Sequence, residues 1–421
     1  ALEHAELSEL EAQELIALYG DAERKLLRRW DAPLLNDFLA MIFFGLLGRL
    51  CQKWLGKREL SNELLRDTGG TVSIEPARHL GDMAEIAKGN ARFTALLCQG
   101  SLSEIREAME EIPAFFGPFQ AYIHKFGNRC LEELKLESPT LRDDPLPLLR
   151  TVGNLARREA PVPRDNRAVR VEAEAHVRRL LGTFDPRRYI FAYVLHHARG
   201  RIRDRENLRF ERTRLFGYVR NIFLGIGQRL QEAGILNSVQ DIFYLEKSEI
   251  FGFVEGRATT RSLRQLVALR RAEFEGYRAA PPPPGRFETR GMFGVLTSLF
   301  NEALTATVPD SEARQGLGCC AGIVSGPVRL IADPRTDTLL DGEILAAKST
   351  DPGWILHFAS AAGILVERGS LLSHSAIVSR ELGIPCVVSI PGLTSWIRTG
   401  DHVQLDGATG QVRRISGAAQ G

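Results

Sequence analysis

The sequence predicts an α+β multidomain chain: a large, mainly α-helical domain followed by a compact β/α domain. Three observations carry this. Apolar residues recur at helical spacing through the first two-thirds of the chain. Glycine roughly doubles in density after residue 315, with 24 in residues 1–315 and 15 in the remaining 106. Beyond that point short runs rich in Val, Ile and Leu alternate with turns. The length of 421 residues suits several domains of roughly 100–200 residues each.

Taken in order, residues 6–19 carry Leu7, Leu10, Leu15, Ile16 and Leu18 between acidic residues, a helical stripe. The apolar run Phe38 to Leu47 lies between Asp37 and Arg49. It falls short of the roughly 20 residues that span a bilayer, so a buried core helix is expected. Residues 82–98, 103–110 and 115–135 repeat the helical spacing, with Asp21 and Ser103 as candidate N-caps. Residues 139–168, rich in Pro, Arg and Asp, read as a long irregular connection. Helices are expected again over 169–181, 186–200, 207–233 and 261–276, the third stopping at Gly234. Pro281 to Pro284 form a stiff spacer before the glycine-rich part. We assign 1–285 to the helical domain, 286–315 to a linker or hinge and 316–421 to the β/α domain.

Within that last domain, residues 322–331, 343–347, 363–367, 386–389, 402–406 and 411–415 are strand candidates. Helices fit over 352–361, starting at Pro352, and 374–382, ending before Gly383 and Pro385. Proline at a helix start and glycine past its end is the expected asymmetry.

Composition narrows the function. With 54 Lys+Arg against 52 Asp+Glu, no basic excess supports general nucleic-acid binding. The segment 201–220 holds seven Arg against three acids and reads as a solvated or ion-paired face. Six cysteines lie without CxxC or zinc spacing, which fits free thiols in a reducing, cytoplasmic setting. The adjacent His196 and His197 point to different helix faces and make a poor metal pair. No metal site, nucleic-acid partner or membrane association is expected of this chain.

One segment carries chemistry. Ser373 is placed to cap a helix whose first residue is His374, which sets orphan N–H groups and the positive dipole end beside the imidazole. That setting keeps a ring nitrogen available as a nucleophile and favours phosphate oxygens once the ring is phosphorylated. Gly369 and Ser370 form a loop that admits close backbone approach, and Thr350-Asp351-Pro352 at another strand-to-helix turn supplies a hydroxyl for the same oxyanion. Against this stands a plain alternative: His374 shares an i, i+4 stripe with Val378 and Leu382, as an ordinary half-buried helix histidine does.

Several stretches occur in order: 318–327, 342–345, Thr350-Asp-Pro352, 363–367, 369–385 and 406–410. Together they resemble the mobile, swivelling phosphohistidine domain of the PEP-utilising enzymes, the family of PEP synthase, pyruvate phosphate dikinase, rifampin phosphotransferase and Enzyme I of the sugar phosphotransferase system. The resemblance implies that His374 becomes phosphorylated, with Ser373, Thr350, Asp351, Gly369 and Ser370 supporting the phosphate. Ser370 stands where a second glycine is usual, and Ser379 and Ser389 replace a common Ala and Gly. The helical part, through Phe126-Gly-Asn-Arg129 with Glu133, Ser138-Pro, Asp143-Asp-Pro145, 204–210, 233–236 and 239–245, resembles the acceptor-holding middle domain of rifampin phosphotransferase-like proteins. Arg129 and Glu133, four residues apart, either pair with each other or contact substrate.

The resemblance implies a histidine-relay phosphotransferase of dikinase type. A transferase of this class takes the β-phosphoryl of ATP, with Mg, through an ATP-grasp domain or subunit. No ATP-grasp pattern is visible in this chain, so ATP and Mg are expected to bind that separate module. The phosphoryl then passes to a small-molecule hydroxyl acceptor held by the helical domain. The alternative is a non-catalytic regulatory or scaffold homologue that retains the fold.

Overall fold

The computed structural model describes residues 7, 9–66, 69–129, 134–158, 166–260, 262–280, 312–334, 337–340 and 342–415, with Ser73 described by its backbone alone. The proline run at 281–284 and most of the expected hinge, up to 311, lie outside the described residues. The chain divides into two compact units, Ala1–Asp21 with Arg220–Asp310, and Ala22–Val219 with Ser311–Gly421.

The first unit is helical. Tyr19 meets the rings of Phe223 and Phe251 edge-on, each at 5.4 Å. Two capping boxes, Ser238 with Asp241 and Glu246 with Glu249, start the turns Val239–Tyr244 and Lys247–Val254. Ser262 caps the helix Leu263–Ala279 by accepting from the Gln265 amide. Asp21, expected as a cap, instead sits inside the helix Ala12–Ala22, where the helical stripe simply continues past it.

The second unit holds the rest of the helices and the β/α part. The expected helix over 82–98 is two helices, Glu75–Lys88 and Ala91–Gln99, parted where Asn90 accepts from the Phe93 amide as an N-cap. The next, Leu102–Glu110, is capped by Ser101 rather than Ser103, because Ser101 has Glu104 three residues on and closes a capping box. The expected irregular stretch 139–168 contains the helix Leu146–Ala156, whose Pro147 sits in the first turn where proline costs no hydrogen bond. The expected pair 186–200 and 207–233 is one helix, Pro186–Glu232, of 47 residues. No proline or cap interrupts it. These helices, together with Pro113–Phe126, bury Leu80, Met83, Phe93, Leu97, Phe115, Tyr122, Leu148 and Val152 in one core.

Helix Asp31–Leu55 is only half a core helix. Leu47, Leu50, Cys51 and Leu55 are buried, whereas Leu34, Leu35, Phe38, Met41 and Ile42 are each more than half exposed. A stretch including it, Ala12–Leu55, is long and apolar enough to cross a membrane by length and composition, a test that soluble core helices also pass. Among the described residues Cys51, Cys98, Cys319, Cys320 and Cys386 are free thiols. Burial pushes the Cys51 thiol up to about 12. Iodoacetamide at about pH 8 is expected to leave Cys51 unmodified in the folded protein and to alkylate it in urea, as peptide mass spectrometry would read.

The β/α part is built on eight strands: β1 (Ala313–Gln315), β2 (Leu317–Cys320), β3 (Ile323–Leu330), β4 (Ile344–Ala347), β5 (Gly363–Val366), β6 (Cys386–Val388), β7 (His402–Asp406) and β8 (Gln411–Arg414). They lie in the order β1-β8-β7-β3-β4-β5-β6-β2. Strands β3 to β6 pair in parallel, and antiparallel pairs flank them on both sides. The central strands read as unbroken apolar runs because both faces are covered. Leu345, Ala347, Ile364 and Val366 face one core with Trp354 and Phe358, while Ile344, Ala346 and Leu365 face the other with Trp396. The short strands β1 and β2, beginning in the expected linker, were not among the expected strands. Their residues lack a long Val/Ile run.

Candidate active site

His374 opens the helix His374–Leu382, which follows the turn after β5. Ser373 holds the N-cap position with extended backbone, yet its hydroxyl does not cap. It donates instead to the Ser370 carbonyl at 2.7 Å and lies 3.1 Å from the Ser375 hydroxyl. The first helical N–H groups are therefore left without a side-chain cap. The far end closes with Gly383 in the left-handed region at φ 71°. There Asn166 donates to the Glu381 carbonyl at 2.8 Å.

The ring of His374 is 3 % exposed. It stacks on Phe358, with centroids 5.9 Å apart and planes at 22°. Phe358 belongs to the helix Ile355–Ser360, which the turn Thr350-Asp351-Pro352 introduces. Asp351 caps that turn by accepting from the Gly353 amide at 2.8 Å. Thus Asp351 and Thr350 shape the approach to the helix that floors the imidazole; no Thr350 hydroxyl contact to His374 is among the described hydrogen bonds.

The decisive partner comes from the long helix. Glu206 Oε2 lies 3.1 Å from His374 Nδ1, and both side chains are buried. A carboxylate there accepts a hydrogen bond from Nδ1–H, and in the neutral form of the ring this leaves the lone pair on Nε2. Nε2 is buried and has no hydrogen-bond partner. Burial by itself would raise the Glu206 carboxyl, but the His374 hydrogen bond and the charges of His374, Arg209 and Arg205 hold it below its usual range. Arg209 Nη1 lies 3.9 Å and Arg205 Nη1 3.4 Å from Glu206 Oε1. Arg205 also donates to the Leu372 carbonyl at 2.6 Å and pairs with Asp37 at 3.1 Å.

Residues 34–206 match the rifampicin phosphotransferase fourth domain, and residues 339–410 match the mobile domain of PEP-utilising enzymes. The chain belongs to the PEP-utilising enzyme family and is rifampicin phosphotransferase-like.

Among its relatives, rifampicin phosphotransferase of Streptomyces sviceus is 27% identical over 381 residues, covering 87% of this chain and 42% of that protein. An uncharacterised Mycobacterium tuberculosis protein is 31% identical over 313 residues, covering 74% of this chain and 33% of that protein. A prodigiosin synthesizing transferase of Serratia marcescens is 25% identical over 440 residues, covering 98% of this chain and 48% of that protein. The chain spans about a third to a half of the length of these relatives.

The family-like motifs now have physical reasons. Gly369 is needed for space: a Cβ there would lie 3.1 Å from Val388 Cβ and 3.3 Å from Ser373 Oγ. Ser370, in the place of the usual second glycine, needs no left-handed backbone. Ser389 does: it takes φ 55° where a PEP-utilising enzyme commonly has glycine, and its hydroxyl donates to the Gly369 carbonyl. A serine in that region carries strain of about 1 kcal/mol, which the hydrogen bond to the Gly369 loop offsets.

Arg129 is buried, with its guanidinium 5.2 Å from the centre of the Phe210 ring. Phe126 meets Phe210 edge-on at 5.7 Å, so the motifs at 126–129 and 204–210 pack together one helical turn from Glu206. Glu133, and with it the proposed pairing to Arg129, lies outside the described residues. Among the described residues no cluster of three or more His, Cys, Asp or Glu is arranged to hold a metal ion.

Sequence reasoning missed Glu206. It treated 201–220 as a charged face, although Glu206 sits in the family-like stretch Asp204 to Phe210. Its place inside that motif, as one of three acids among seven arginines, was the available signal.

Proposed function

We propose that this chain is the acceptor-side and carrier part of a histidine-relay phosphotransferase, with His374 Nε2 as the atom that carries the phosphoryl group. One observation carries the reading: a buried imidazole at a helix start, with Nδ1 held by a buried carboxylate and Nε2 free of any partner. An ATP-grasp module, in a separate segment or chain, presents the β-phosphoryl of ATP with Mg, and AMP and phosphate leave. In charging, the Nε2 lone pair bonds to the β-phosphorus as its bond to the AMP oxygen breaks, and water then takes the γ-phosphoryl as phosphate, leaving the β-phosphoryl on the ring. The β/α domain then swings on the 286–315 connection and seats on the helical part.

In discharge, the acceptor hydroxyl oxygen forms a bond to phosphorus while the P–Nε2 bond breaks, and the hydroxyl proton is released to water. Glu206 keeps the proton on Nδ1, so the departing group is neutral imidazole rather than imidazolate. Arg205 and Arg209 offset phosphoryl charge, which phosphoryl transfer needs more than covalent assistance. The exposed apolar face at Leu34, Phe38 and Met41 borders Asp37 and through it Arg205. That face suits an acceptor with a large apolar body and a reactive hydroxyl. The free thiols fit a cytoplasmic setting.

The test is to incubate the chain with an ATP-grasp partner and β-labelled ATP, or with phosphoramidate. Acid-labile, base-stable label on the peptide containing His374 is the expected result. Label that survives acid, or that persists in His374→Ala, overturns the assignment.

A further inference from the structure

Arg380 lies six residues after His374 on the helix His374–Leu382, and it is 1 % exposed. Among the described residues it makes no ion pair with a carboxylate. Burial holds its guanidinium below the usual range, against the opposing effect of Cys319, Cys320, Glu381 and Cys386. A buried charge without a carboxylate partner costs stability, so its role is sought in geometry.

Its donors bridge two parts of the unit. Nη1 donates to Asn62 Oδ1 at 2.9 Å, and Nη2 donates to the Leu371 carbonyl at 2.7 Å. The guanidinium carbon lies 5.7 Å from the centre of the Phe44 ring. Asn62 and Phe44 belong to the helical part, in Leu60–Leu64 and Asp31–Leu55. Leu371 belongs to the turn that leads into His374. The next carbonyl of that turn, Leu372, is held by Arg205 of the long helix. Two consecutive carbonyls before Ser373 and His374 are thus gripped by two guanidiniums, and each of these also reaches the helical part.

The same seam is held by further donors on main-chain carbonyls of the β/α part. Asn62 reaches Gly318 at 3.4 Å, Arg66 reaches Ala321 at 2.9 Å, and Asn166 reaches Glu381 at 2.8 Å. These contacts locate the domain. Arg380 differs because its second donor reports that location to the turn carrying the reactive ring.

We propose that Arg380 is a positioning residue that couples seating of the β/α domain to the alignment of His374. With the domain seated, Asn62 and the Phe44 ring fix the guanidinium. Its remaining fork then fixes the Leu371 carbonyl, and the turn presents Nδ1 to Glu206. Unseated, the guanidinium loses Asn62 and Phe44, and the turn loosens. This rests on the reading of His374 as the phosphoryl carrier.

The experiment uses the full chain with ¹⁵N-labelled histidine and reads the Nδ1 proton of His374 by NMR. Asn62→Ala is expected to speed its exchange with solvent about tenfold, one local-opening step of RT ln 10. Arg380→Lys is expected to act in the same direction, because a point-like ammonium does not reproduce the planar fork. Asn62→Asp supplies a carboxylate to the same guanidinium and is expected to slow the exchange below wild type. A merely structural anchor would not move the ring signal in opposite directions. Should the alanine variant fail to fold, the Asn62→Asp and Arg380→Lys pair decides. Exchange and ring shifts equal to wild type in the folded variants overturn the coupling. Phosphoramidate labelling separates the two ideas. Labelled His374 with an unmoved ring signal removes the coupling alone; an unlabelled His374 with a shifting signal removes the carrier reading and leaves the clamp.

Discussion

Glu206→Ala is expected to leave charging of His374 intact and to slow its discharge to acceptor by about 10²- to 10⁴-fold, the range that a positioned proton-holding group contributes. The asymmetry follows from where the residue resides. Glu206 is on the long helix of the helical part, so in the proposed relay it meets the imidazole only while the β/α domain is seated there. Removing it frees the ring to rotate and to adopt the other tautomer, in which Nε2 carries the proton. Glu206→Gln keeps an acceptor oxygen at the same reach but no charge, and an intermediate loss is expected. The lifetime of acid-labile phosphohistidine, with and without candidate hydroxyl acceptors, measures both. Equal lifetimes in wild type and Glu206→Ala would refute the role.

The same carboxylate sets a pH dependence of known sign. Its folded value lies below the ordinary one, since the His374 hydrogen bond and the charges of His374, Arg209 and Arg205 outweigh burial. Its contribution to stability is therefore fully present above the ordinary carboxylate range. It is lost as pH falls through the depressed value. Thermal unfolding followed from about pH 6 to about pH 3 is expected to show a decline that Glu206→Gln flattens.

The second large effect lies in the sheet. Gly407→Ala is expected to cost about 3 kcal/mol, the upper end of the overpacking range. A Cβ there would come within 1.9 Å of the Cys320 carbonyl oxygen and 3.0 Å of the Cys386 amide nitrogen, both backbone atoms that cannot turn aside. The substitution would push β2 off β6. Chemical denaturation of the chain measures it, and a loss under about 1 kcal/mol would mean the strands give way freely. Gly410 of the same family-like run takes φ 80°, so it too has a backbone reason to be glycine.

These two residues show how differently the sequence spoke. The stretch 406–410 was legible because turn chemistry is local: Gly410 answers to its own backbone angle, although the close approach that requires Gly407 comes from Cys320 and Cys386, distant in the chain. The strands β4 to β6 were legible for a related reason, as buried parallel strands need continuous apolar runs. The break at Asn90 and the true cap at Ser101 were also written locally, in a Gly-Asn pair and a Ser-x-x-Glu spacing, and were overlooked rather than hidden. The unity of Pro186–Glu232 was harder to see. Its middle is dense in charge, and those charges find partners that lie far off in the chain, as Arg205 finds Asp37 and Leu372.

By itself the sequence determined the helical and β/α division, the glycine-framed loop and the placement of His374 at the first position of a short helix. All of these depend on neighbours within a few residues. Only the tertiary structure decided that Glu206, 168 residues earlier, holds Nδ1 and that Arg380 reaches Asn62, 318 residues earlier. Which ring nitrogen is free to react is a matter of hydrogen-bond partnership through space, and no periodicity along a chain encodes a partner that distant.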